Sequence, residues 1–198
     1  MCLFTKKDMT VADKPVTCWK FVEIVEGIME ERITITPYTF VRIPVGVLDG
    51  IEPFKADKSV GKAFEYDDFG EACVTAGYIH TFGVLDTDML ENEAEYLAES
   101  VGKHDDYIAA TAESIGCRRC PKVLAIQLWR CEIPAGTRYV EGEIEAGERK
   151  GYASDEIVFK EMTLEIGEDI AGWEHEDERY AMYKELSGKV NNKTRNEQ

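Results

Sequence analysis

Apolar residues crowd into short runs broken by charge, and the spacing within each run separates strands from helices. Val16 to Val25 (VTCWKFVEIV) is dense in β-branched and aromatic residues and ends in a polar stretch containing Gly27. It predicts the strand that opens a sheet. Arg32 to Ile43 (RITITPYTFVRI) sets Ile33 and Ile35 before Pro37, and Tyr38 and Phe40 after it. Proline lacks the ladder N–H, so an edge strand or two short strands with a bend at Pro37 are expected. Residues 44 to 77 carry Gly46, Gly50, Pro53, Gly61, Gly70 and Gly77 among short apolar pieces, which predicts short strands and turns of open register. Gly77 to Leu85 (GYIHTFGVL) reads as a further short strand, with His80 and Phe82 on one face.

Helical spacing appears next. Asp88 opens a capping-box pattern, and Leu90, Ala94, Leu97 and Val101 recur every three or four residues before Gly102, predicting a helix from Asp88 to Val101. A second helix is expected after His104 or Asp105, with Ile108, Ala112 and Ile115 as its stripe and Gly116 at its end. Pro121 to Pro134 (PKVLAIQLWRCEIP) is the strongest strand pattern, apolar on both faces at its start and therefore central. Val123, Ala125, Trp129, Cys131 and Ile133 share one of its faces, which places Trp129 in the main core, where truncation to alanine is worth about 3–5 kcal/mol. Thr137 to Ile144 and Tyr152 to Ile166 predict two more strands, joined in an antiparallel meander. A last helix brings Tyr180, Tyr183 and Leu186 or Ser187 to one face. The pattern predicts a single α+β domain over residues 1–187: a mainly antiparallel sheet, a two-helix layer on one face and a C-terminal helix. Residues 188–198 hold one apolar side chain, Val190, and are expected to form a disordered polar tail.

Composition narrows the function classes. The chain has 198 residues, 44% hydrophobic and 31% charged, which suits one core. No apolar run approaches the roughly 20 residues of a membrane-spanning helix. The first residues, MCLFTKKDMTVADK, lack the pattern of a secretory signal, so a soluble cytoplasmic protein is expected. Its six cysteines then read as reduced thiols. The net charge of −16 repels phosphate backbones and anionic lipid, so neither direct nucleic-acid nor membrane binding is expected. The same charge admits a second reading, an acidic surface that imitates nucleic acid to occupy a basic partner.

Candidate chemistry is sparse. Cys117-Arg-Arg-Cys120 pairs two thiols three residues apart, which suits half of a tetrahedral zinc site, a reactive disulfide or structural thiols. His104 and Cys131 are the remaining candidate ligands, and one CxxC without further local spacing predicts no stoichiometric metal. Cys2 could act as an N-terminal nucleophile, but MCLFTKK lacks the glycine turn such a residue needs, and Cys2, Leu3 and Phe4 are expected to anchor the N-terminus. His80, His104 and His175 show no paired spacing. Phosphate-loop, GxSxG, HExxH and EF-hand patterns are absent, and no cofactor is expected.

MCLF, TCWK with TPYTF, GYIHTF, CEIPAGTRYVEG and YASDEIVF follow one another in order from Met1 to about Ile166. Together they resemble an uncharacterised family of small phage and gut-bacterial (Bacteroides-type) proteins that begin Met-Cys-Leu-Phe or Met-Cys-Leu-Tyr. The resemblance implies an accessory protein of phage or mobile-element type and no particular activity. Ile-Pro-x-Gly-Thr followed by a Glu-Ile-Val strand is distantly similar to ADP-ribosyltransferase domains, in which a glutamate on a late strand holds the ribose. That likeness implies Glu156 as the glutamate, Lys20 in place of the early-strand Arg or His, and His80-Thr81-Phe82 in place of a Ser-Thr-Ser strand. Ser154 stands where arginine-modifying transferases have Glu or Gln. The expected function is a non-enzymatic binding module for a host protein or a small ligand. The alternatives are an ADP-ribosyltransferase-like enzyme or degenerate NAD-binding relative, with Lys20, His80 and Glu156 gathered in one cleft, and the acidic mimic.

Overall fold

The computed structural model of the chain describes residues 2–5, 9–27, 29–37, 41–56, 64–66, 72–75, 81, 83–85, 87–100, 123–144, 149–167 and 181–189. Its fold is α+β, built of antiparallel sheets and a few helices, one of them C-terminal. No helix among the described residues is long and apolar enough to cross a membrane.

The opening strand forms as its composition requires. β3 (Val16–Glu26) follows β1 (Cys2–Thr5) and β2 (Thr10–Val11), and it is buried without a break from Lys20 to Val25. It pairs with β4 (Arg32–Ile35), Glu23 opposite Ile35 and Glu26 opposite Arg32, and the Gly27 N–H donates to the Glu31 carbonyl at 2.8 Å. Pro37 does end the extended run. Thr36 N–H donates to the Val41 carbonyl at 3.0 Å and Ile43 N–H to Thr34 at 2.8 Å, so a second short piece returns beside the first. One feature of residues 44–56 escapes the sequence pattern: the single-turn helix α1 (Val45–Leu48), entered from Pro44, precedes β5 (Phe54–Lys55). A single turn is too short to show helical periodicity, and proline's fixed φ suits a helix start. β6 (Phe64–Tyr66) and β7 (Ala72–Thr75) are the short strands expected.

β8 (Val123–Ile133) is central, as its two-sided apolar pattern requires, in a five-stranded sheet of order β4-β3-β8-β11-β5, with β11 spanning Glu156–Ile166. Ala125, Cys131 and Ile133 are buried on one face, Ile126 and Leu128 on the other. Trp129 departs from its expected place. It is only half-buried, with its ring edge-on to Phe159 at 5.5 Å. Its truncation therefore belongs at or below the lower end of the range for a core tryptophan.

The six-stranded sheet runs β10-β9-β1-β7-β6, with β2 also paired to β9; β9 is Arg138–Ile144 and β10 is Arg149–Ser154. Leu3 is fully buried in β1, between β7 and β9, which accounts for the apolar character of the first residues. The single strand expected over residues 152–166 is two. Asp155 interrupts it, with its N–H donating to the Arg138 carbonyl at 2.9 Å and its carboxylate accepting from Arg138 Nε at 2.8 Å. No glycine or proline marks that break. β10 thereby joins one sheet and β11 the other.

Of the strand expected over Gly77–Leu85, Gly83 and Val84 are seen as isolated bridges: Gly83 pairs with Tyr152 of β10, and Val84 with Trp19 of β3. Residues 76–80 and 82 lie outside the described residues. Helix α2 (Leu90–Ser100), preceded by a 3-10 turn at Thr87–Met89, buries Leu90, Ala94 and Leu97, three of the four residues of the predicted stripe. The helix expected after His104 lies outside the described residues. Helix α3 covers residues 181–189 and buries Met182, Tyr183, Leu186 and Ser187. Gly188 and Lys189 belong to it, with Lys189 Nζ 2.7 Å from Glu185, while residues 190–198 lie outside the described set.

Contacts cluster into two compact units. The first holds residues 1–20, 44–89 and 129–161, and with them the whole six-stranded sheet; the second holds residues 21–43, 90–128 and 162–198. In the second unit β11 stops at Gly167, whose φ is +119° and where an added Cβ would stand 2.5 Å from the Leu124 carbonyl oxygen. Glycine is required there by backbone sign and by space.

Candidate functional site

Glu156 is the first residue of β11, and its position follows from register. It lies opposite Lys55 of β5, so both side chains leave the same face, and Lys55 Nζ stands 4.0 Å from its carboxylate. The other carboxylate oxygen accepts from Thr137 Oγ1 at 3.4 Å. Ser154, two residues earlier, is fully buried; its hydroxyl donates to the Glu156 carbonyl at 3.1 Å, while its own carbonyl accepts from Thr81 Oγ1. Ser154 and Glu156 also belong to different sheets, because Asp155 breaks the strand between them. The serine hydroxyl is thus committed to backbone, while the part-exposed glutamate has a threonine and an exposed lysine beside it.

Lys20 is 4% exposed on β3. β8 lies between β3 and β11, so two strand spacings, roughly 10 Å, separate Lys20's strand from that of Glu156. Lys20 and Glu156 therefore stand on strands that are not neighbours in the sheet. His80, the third candidate, lies outside the described residues, as do Cys117, Cys120 and His104. Cys131 is fully buried on β8, its Sγ 3.8 Å from the Trp129 carbonyl. No group of three or more His, Cys, Asp or Glu able to hold a metal occurs among the described residues.

Lys20 does sit within electrostatic reach of two thiols, Cys18 and Cys131, both buried and both free. Burial dominates each. It pushes the Cys18 thiol up to about 12, against the opposing pull of the Tyr152 hydroxyl, the Lys20 ammonium and the Ile133 N–H. Burial, with Cys18 as a second cause, raises Cys131 well above the ordinary thiol range, and Lys20 and Arg130 offset little of it. Thiols held protonated and away from solvent are poor nucleophiles and poor metal ligands. Iodoacetamide at about pH 8 is accordingly expected to leave both unmodified in the folded protein and to alkylate both in urea. Peptide mass spectrometry reads the outcome, and folded-state labelling at the unfolded rate would contradict it. Above about pH 8.5 the unfolded thiols ionise while the buried ones do not, so the unfolded chain binds fewer protons and stability falls with rising pH until Cys18 itself titrates at about 12.

In the second unit a buried acid is the main polar feature. Glu23 is 1% exposed and accepts from the Tyr183 hydroxyl at 2.8 Å, and Tyr183 packs edge-on to Phe21 with ring centroids 6.3 Å apart. Lys184 reaches Glu95 of α2 at 3.0 Å. These contacts pin α3, and the sequence carried only the apolar half of the signal, the helical spacing of Tyr183 and Leu186. Of the two partners of Glu156, Lys55 carried none, whereas Thr137 is the threonine of the Ile-Pro-x-Gly-Thr segment quoted with the Glu156 strand.

No protein-family model matches the chain, and neither the curated proteins nor the solved structures contain a match.

Proposed function

We propose that the chain is a binding module, an accessory protein of phage or mobile-element type that acts on a host protein or a small ligand without catalysis. The observation that carries this reading is the burial of Lys20. A transferase needs a cation at the cleft to grip the dinucleotide phosphates, and Lys20, the residue that the transferase likeness puts in that role, is only 4% exposed. Two further features support it. Glu156 already has Thr137 and Lys55 as near neighbours, and the net charge of −16 opposes an anionic cofactor at long range. The order of MCLF, GYIHTF and YASDEIVF is the ground for the phage-type assignment.

Incubation with NAD, followed by chromatography of released nicotinamide, tests the reading, with Glu156→Gln as control. The expected result is no release above the buffer blank from either protein. Release by the parent that disappears in Glu156→Gln would overturn the binding-module reading and favour an enzyme.

A further inference from the structure

No further inference is drawn: the strongest candidate, the buried side-chain cluster of Cys18, Lys20, Cys131 and Tyr152 contributed by β3, β8 and β10, is sealed from solvent with both thiols held protonated, and nothing in the structure shows what ligand or reactant would reach it.

Discussion

Gly83→Ala is expected to destabilise the protein by about 3–5 kcal/mol, among the largest effects available to a single added methyl group. Gly83 and Val84 form a two-residue stitch. Tyr152 N–H donates to the Gly83 carbonyl at 2.9 Å, and Trp19 and Val84 exchange hydrogen bonds at 2.9 and 3.1 Å. A Cβ at residue 83 would come within 2.8 Å of the Tyr152 ring and closer still to the Trp19 carbonyl oxygen. Backbone on one side and a fully buried aromatic ring on the other leave no flexible side chain to yield. Relief must come from moving the stitch, which weakens hydrogen bonds worth about 1 kcal/mol each on top of the overpacking. Gly46→Ala is the matched control, because a Cβ there meets nothing within 4 Å and lies in α1. Urea unfolding of the two variants checks the expectation. Gly46→Ala should stay within about 1 kcal/mol of the parent, and a Gly83→Ala midpoint equal to it would refute the stitch.

Tyr183→Ala carries the second large effect, again about 3–5 kcal/mol, for a different reason. The side chain is wholly buried against Phe21, so truncation opens a cavity, and its hydroxyl donates to Glu23, so truncation also strips a donor from a carboxylate 1% exposed. Tyr183→Phe separates the two contributions. It keeps the ring and removes only the donor, a loss of about 1–3 kcal/mol for a buried acceptor. Equal unfolding free energies for Tyr183→Phe and the parent would show that the hydroxyl does not hold the acid. Thermal melts of all three proteins, with far-ultraviolet dichroism to follow α3, decide between these outcomes.

The sequence pattern was readable where burial is two-sided or strictly periodic. β3 and β8 follow from unbroken apolar density, and α2 from Leu90, Ala94 and Leu97 at helical spacing. The pattern failed where tertiary pairing sets the chain's course. Asp155 divides β10 from β11 through Arg138, a partner whose proximity no local rule encodes. Trp129 sits on an apolar face by alternation, yet alternation does not report how completely the rest of the fold covers that position, which is only half-buried. The candidate site shows the same limit. Glu156 was identifiable on its strand, but its neighbour Lys55 comes from a distant segment. Lys20 looked available because lysine is seldom buried, whereas in the fold it lies on the interior of β3 beside the two sealed thiols.

The central claim is that Lys20 and Glu156 do not make a dinucleotide site, and titration calorimetry of NAD into the folded protein tests it without requiring turnover. With Lys20 buried and Lys55 beside Glu156, the account predicts only heat of dilution up to NAD concentrations on the order of millimolar. Saturable heat with one NAD per chain, lost in Glu156→Gln and in a folded Lys20→Met variant, would contradict it.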